Sequence, residues 1–306
     1  MRYHLDLIFA NLFFGANFSF YVSLTRNYLD FQQIFMLQVL SAALFFIPFA
    51  LFSRRSYSIT WRDAKSIVIV SLLVVYGWMY VLLWGASYTS PIDASVIAVL
   101  GPAFTLIADH VLHPRKYVIT RVVGVVCAVV GAGILIFGNG FVVTHGSRAY
   151  GNLLVTVAVV AIAVNTVIIK PQLEKLGALV VMGWYYIIGL AITAPFFWKY
   201  IAHTHFERLP LSAQVELGYI LIFGTVLPMY LLYRGTEKLT SVHTALYRYL
   251  QPIIAGILAV TRGQAHFTPT NLLSIGFIFA GIILVVIGYQ HHTQSGVPAH
   301  ASLLRK

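Results

Sequence analysis

WGASYTSPIDASVIAVLGPAF, residues 84–104, and RGTEKLTSVHTALYRYLQPII, residues 234–254, align without a gap. Each stretch has a glycine in second position, and Pro102 of the first matches Pro252 of the second. Matching prolines and glycines at one offset indicate two copies of one helical unit. Inverted repeats with proline-bearing segments in corresponding positions are typical of secondary transporters whose site lies near the middle of the membrane.

The composition indicates an integral membrane protein. Hydrophobic residues make up 59% of the 306-residue chain and charged residues only 9%, with a mean hydropathy of +0.83. A soluble domain carries about 25% charged residues, so a water-soluble globule is excluded. The single cysteine, Cys127, cannot form a disulfide within the chain.

The fold class that we predict is all-α integral membrane, with ten transmembrane helices arranged as two inverted five-helix repeats. A span needs about 20 apolar residues. The apolar runs of that length are 5–24, 31–52, 66–86, 91–112, 117–138, 151–170, 178–198, 214–234, 241–261 and 270–290. Residues 1–145 form the first repeat, and residues 146–306 form the second repeat with a short cytoplasmic tail. Because five is odd, the second repeat enters the membrane upside down.

The distribution of basic residues predicts the orientation. The net charge is +11, and most lysine and arginine residues fall in the segments on the same side as the N-terminus. The positive-inside rule then places both termini in the cytoplasm, in the cytoplasmic (inner) membrane of a bacterium. This bias explains the basic excess, so the lipid bilayer is the expected partner and no nucleic acid is needed.

The two aligned stretches and the glycine-rich runs at 122–136 and 272–288 resemble the EamA-type transporters of the drug/metabolite transporter superfamily. The resemblance covers essentially the whole chain and implies export or exchange of small metabolites, such as amino acids or other carboxylate-bearing compounds. Two positions that are often charged in that family are neutral here: Gln38 stands for an arginine and Gln251 for a glutamate. Coupling to a proton or another ion stays an open alternative, although the family carboxylate that could serve it is replaced by Gln251, and the oligomeric state is not predicted.

Arg248 is the leading candidate for binding substrate. A charge inside a span is costly and faces the bundle interior, a cavity or a partner. Pro252 has no N–H, so the carbonyl left without its helical donor is that of Arg248 itself. An arginine fork fits a carboxylate or phosphate held by two hydrogen bonds. The alternatives are a structural arginine that extends to the cytoplasm and an ion pair with Asp109.

The other substrate-binding candidates are polar or aromatic side chains within the spans: Gln251, Asn17, Asn165, Trp78, Tyr80 and Tyr185. The polar ones could equally be interhelical hydrogen bonds, and the aromatic ones ordinary packing. Pro102 and Pro252 are candidate hinges at which each repeat could bend, although proline kinks in membrane helices are often static.

Other classes of protein are less well supported. The sequence has no nucleotide-binding, metalloprotease or serine-hydrolase motif, so we predict neither an enzyme nor a metal or cofactor. Efflux of drugs or other amphipathic compounds is the main alternative, and a channel is a weaker one. Proton-driven export of cations needs a carboxylate deep in the membrane, and the acidic residues lie near the ends of the predicted spans or in loops.

Overall fold

A computed structural model describes residues 2–112, 119–137, 145–202, 204–264 and 268–294, and no strand occurs among them. The main helices are α1 (Arg2–Asn27), α2 (Phe31–Phe52), α3 (Trp61–Ala86), α4 (Pro91–Leu112), α5 (Ile119–Phe137), α6 (Arg148–Ile168), α7 (Ala178–Ala202), α8 (Leu211–Lys238), α9 (Leu250–Thr261) and α10 (Pro269–Gln294). Short helical segments at Lys170–Leu176 and Ser241–Leu246 precede α7 and α9. The predicted all-α class is confirmed.

Seven of these helices are long and apolar enough to cross a membrane: α1, α2, α3, α4, α6, α7 and α8. The other three, α5, α9 and α10, coincide with the remaining apolar runs of the sequence but fall outside that set within the described residues. The chain is thus a multi-pass membrane protein, and a full set of ten spans stays a prediction.

Several helices begin where the sequence offers a capping side chain. Ser90 accepts a hydrogen bond from the Asp93 backbone amide at the start of α4, and Ser147 accepts one from Tyr150 at the start of α6. Such caps satisfy backbone N–H groups that a helix leaves without a partner in its first turn. They fix the entry points of two helices that line the site described below.

Helix packing follows a two-fold pattern. α5 packs on α10, and α2 packs on α7, so that each of these helices meets its counterpart at the same place in the other half. α1 packs on α8 and α9, while α6 packs on α3 and α4. If α1–α5 are taken to correspond to α6–α10 in order, each of these contacts has an equivalent in the other half, as expected for two related units.

The corresponding helices also share their irregularities. α4 is interrupted by a turn at Val99 and Leu100, and the chain entering α9 forms one 3₁₀ turn at Tyr247–Tyr249. α3 and α8 each contain a π-helical segment, Leu73–Tyr80 and Ile222–Val226. π-Helical segments occur often at functional sites. Trp78 of the first π-helical segment and Arg248 of the 3₁₀ turn line the cavity described below.

Candidate functional site

A cavity lies between helices of both halves, with α1, α3 and α4 on one side and α6, α8 and the start of α9 on the other. Its polar lining comes from Asn11, Asn17, Tyr21, Arg248 and Gln251. The rest of the lining is apolar or aromatic and includes Phe14, Phe18, Trp78, Val159, Ile162 and Leu232. The volume is about 30 Å³, which is room for about two water molecules. In this conformation the cavity is too small for a metabolite.

Arg248 is the charged group of this cavity. It is only 6% exposed, so its side chain does not extend to the cytoplasm. Its Nε has no hydrogen-bond partner, and neither a hydrogen bond nor an ion pair joins the guanidinium to any residue that the structure describes. A buried cation with no counter-ion is costly, and such a group is expected where an anion binds.

The acidic residues do not neutralise Arg248. All nine lie in the described ranges, and seven of them form ion pairs with lysine, arginine or histidine residues elsewhere in the chain. The two others are Asp30, which caps the start of α2, and Asp109, and neither lines the cavity. The alternative in which Asp109 pairs with Arg248 is not observed.

Gly101 makes room for the arginine. A Cβ atom at this position would lie 2.7 Å from Cδ of Arg248 and 3.2 Å from its Nε. Carbon atoms in contact prefer about 3.5–4.0 Å, so any larger residue at 101 displaces the arginine stem. Gly101 belongs to the first half of the chain and Arg248 to the second. The guanidinium is thus held at the crossing of the two corresponding helices.

Gln251 is fixed by a residue that the sequence analysis missed. Its Nε2 donates a 2.7 Å hydrogen bond to Oδ1 of Asn11, and Nδ2 of Asn11 donates to the Leu7 carbonyl at 2.7 Å. Both side chains line the cavity. Asn11 lies six residues before Asn17 on α1. Its role could have been predicted only with knowledge of which face of α1 meets α9.

Asn17 lines the cavity but is anchored to α8. Its Nδ2 donates a 2.7 Å hydrogen bond to the Gly224 carbonyl, and its amide occupies the space that a Cβ at Gly224 would fill. Next to it, Nε2 of Gln38 donates to the Tyr21 hydroxyl at 2.7 Å and also bonds Thr225. These contacts join α1 and α2 to the π-helical segment of α8.

Trp78 is the one aromatic candidate that lines the cavity, where its ring meets Phe14 edge-on at 5.7 Å between centroids. Tyr80 packs instead among rings that include Phe35 and Phe197, away from the cavity. Tyr185 is fully buried next to Tyr186. Asn165 donates a 2.9 Å hydrogen bond to the Tyr233 hydroxyl and is also fully buried. The structure thus brings together Arg248, Gln251, Asn17 and Trp78, but does not place Tyr80, Tyr185 or Asn165 in their cavity.

The two hinge candidates lie next to the helix breaks. Pro102 follows the turn at Val99 and Leu100, and Pro252 follows the 3₁₀ turn that carries Arg248. Bending at either proline would therefore move a wall of the cavity. Whether they bend stays a prediction.

Ion pairs join the two halves on opposite sides of the cavity. At the end of the bundle where the chain begins, Arg234 of α8 pairs with Asp6 of α1, and we call this contact the inner latch. At the opposite end Arg148 of α6 pairs with Asp93 of α4 through Nε at 2.5 Å and Nη2 at 2.8 Å, the outer latch. Both carboxylates are buried. Both ion pairs therefore connect the two halves in this conformation.

Nothing in the described ranges points to a metal centre, since no group of three or more histidine, cysteine or acidic side chains comes together there. The site consists of the buried guanidinium of Arg248, the amides of Asn11, Asn17 and Gln251, the Tyr21 hydroxyl and an apolar wall. These groups can bind and orient an anion, and they include no nucleophile paired with a base.

Comparisons with known proteins agree with this arrangement. The EamA-like transporter family matches residues 2–137 and again residues 149–287. A crystal structure of another protein superposes with a TM-score of 0.63 at 16% identity, over 93% of this chain and 97% of its own, which shows a shared fold.

Three relatives carry the description uncharacterized transporter. YetK of Bacillus subtilis is 24% identical over 75% of this chain and 70% of its own. YoaV of the same organism is 28% identical over 47% of this chain and 49% of its own. A protein of Archaeoglobus fulgidus is 24% identical over 74% and 79% of the two chains. Since the family matches both halves and together most of the residues, this chain belongs to the EamA-like transporter family.

Proposed function

We propose that this transporter is a secondary carrier for small carboxylate-bearing metabolites, with the anion bound by Arg248. The observation that carries the proposal is the burial of this guanidinium without a counter-ion in a cavity that both halves line. A carboxylate accepts two hydrogen bonds from an arginine fork and restores neutrality. Gln251, held by Asn11, would orient the bound group, and the aromatic and aliphatic wall would accept the rest of the molecule.

Transport would proceed by alternating access between two inverted repeats, residues 1–145 and 146–306, with ten membrane spans in all. The packing of α1 on α8 and α9, and of α6 on α3 and α4, supports this symmetry. Because the cavity holds only about 30 Å³, a substrate enters when the halves separate at one end. Opening of the inner latch would admit substrate from the cytoplasm, and opening of the outer latch would release it.

The charge distribution of the sequence supports a location in the cytoplasmic membrane with both termini inside. In that orientation the inner latch faces the cytoplasm. Export or exchange is the direction that we propose, since the family resemblance implies it. Pro102 and Pro252 would act as the hinges. Coupling to a proton or another ion is not part of the proposal, because Gln251 and Gln38 are neutral.

Efflux of amphipathic compounds is the second candidate, and the apolar wall around Phe14 and Trp78 favours it. A buried arginine repels cationic compounds, so such a carrier would handle neutral or anionic molecules. The two functions differ in whether transport requires a carboxylate.

The test is counterflow in proteoliposomes that contain the full-length chain. Labelled monocarboxylates, amino acids, neutral amides of the same compounds and organic cations would be compared. Carboxylate-bearing compounds should be exchanged, and their amides and the cations should not. Equal exchange of acids and their amides would contradict the proposal and favour amphipathic efflux.

A further inference from the structure

We infer that the preferred cargo is a monoanion with an apolar body and no amino group, an inference that rests on the proposed function of Arg248. The charge of the cavity is the first reason. Arg248 contributes one positive charge, and none of the acidic residues of the chain lines the cavity. A monoanion restores neutrality, whereas a zwitterionic amino acid brings no net charge and leaves the site positive.

The second reason is the set of acceptors available to an ammonium group. Such a group carries three N–H donors and, when buried, is stabilised by an anion. Oδ1 of Asn11 already accepts a hydrogen bond from Gln251. Nδ2 of Asn17 donates to the Gly224 carbonyl, whereas its Oδ1, which accepts no hydrogen bond, is a neutral oxygen. What remains is neutral oxygens, such as the amide oxygen of Gln251, and no carboxylate.

The third reason is the character of the wall opposite the charge. Phe14 and Trp78 meet edge-on, and Val159, Ile162 and Leu232 complete an apolar surface. This surface favours an aromatic or branched aliphatic body over a polar one, because a polar group buried there would lose its hydrogen bonds to water. A second charged group on the cargo would find no partner in it.

The experiment compares compounds that differ only in the charged group. Phenylpropionate, phenylalanine and phenethylamine share one aromatic body and are an anion, a zwitterion and a cation. Isocaproate and leucine form an aliphatic pair. Binding to the full-length chain in lipid nanodiscs would be measured by calorimetry, and exchange by counterflow in proteoliposomes.

We expect phenylpropionate and isocaproate to bind at least about tenfold more tightly than phenylalanine and leucine, a difference of about 1.4 kcal/mol. Phenethylamine should not bind. In the Arg248→Gln variant the preference for the anions should disappear.

Each contrary result has a distinct meaning. Amino acids that bind as tightly as their deaminated analogues, with binding lost in Arg248→Gln, overturn this inference and leave the proposed function intact. Binding of either class that is unchanged in Arg248→Gln overturns the proposed function itself. Absence of binding by both anions overturns the inference, since it predicts an affinity for them.

Discussion

Replacement of Gly101 by alanine should weaken substrate binding without a direct contact to the substrate. The new Cβ would lie 2.7 Å from Cδ of Arg248, 3.2 Å from Nε and 3.4 Å from Nη1. Because carbon atoms in contact prefer about 3.5–4.0 Å, the arginine stem must move by about 1 Å. A displacement of that size in a positioned group can reduce function by up to about 100-fold. Overpacking of this kind costs about 1–3 kcal/mol in stability.

We therefore expect phenylpropionate to bind Gly101→Ala about 10–100-fold more weakly than the wild type, on the scale of about 1.4 kcal/mol per tenfold. Calorimetry in nanodiscs gives the affinity, and a thermal melt gives the stability. Gly218→Ala is the matched control, since a Cβ at that helical position meets nothing within 4 Å.

A double-mutant cycle decides whether the effect passes through the arginine. In an Arg248→Gln background, Gly101→Ala should cause no further loss of affinity, because the group that it displaces is gone. Unchanged affinity in Gly101→Ala would refute the reasoning. So would a loss of the same size whether or not Arg248 is present.

Three further changes test other parts of the structure. Asp6→Asn removes the ion pair with Arg234. Amide hydrogen exchange at the inner ends of α1 and α8 should then be faster than in the wild type, while exchange at their outer ends stays unchanged. Exchange rates equal to those of the wild type at both ends would argue against the inner latch. Gly224→Ala should lower the melting temperature by several degrees, because its Cβ overlaps the Asn17 amide, and the stability of an Asn17→Ala background should be less sensitive to the same change. Pro252→Ala restores a backbone donor next to the break before α9. We expect slower substrate exchange in the counterflow assay with unchanged substrate affinity, whereas a static kink predicts a normal rate of substrate exchange.

The helical architecture was predictable from the sequence because a bilayer demands long apolar runs, and these runs are visible without knowledge of contacts. The repeat was predictable because Pro102 and Pro252 occupy corresponding places in the two aligned stretches. Arg248 could be identified because a charge inside a span is rare enough to require an explanation. Its lack of a counter-ion could not be read from the sequence, because it depends on where nine distant carboxylates lie.

The sequence alone did not show which face of each helix lines the cavity. Tyr80 and Trp78 are two residues apart on one helix, yet only Trp78 lines the cavity. Asn11 was missed because its role depends on the closeness of α1 and α9. The buried carboxylates of Asp6 and Asp93 were placed near span ends, as observed, but their pairing across the two halves needs the tertiary structure.

The most direct measurement of the central claim is substrate affinity in Arg248→Gln and Arg248→Lys, with Arg54→Gln as the control at an exposed arginine. Phenylpropionate should bind at least about tenfold more weakly to the glutamine variant and should lose less affinity in the lysine variant, since lysine retains the charge but not the two-pronged geometry. Arg54→Gln should bind normally. Ordinary affinity in a folded Arg248→Gln protein would show that the arginine is structural, and would contradict the account.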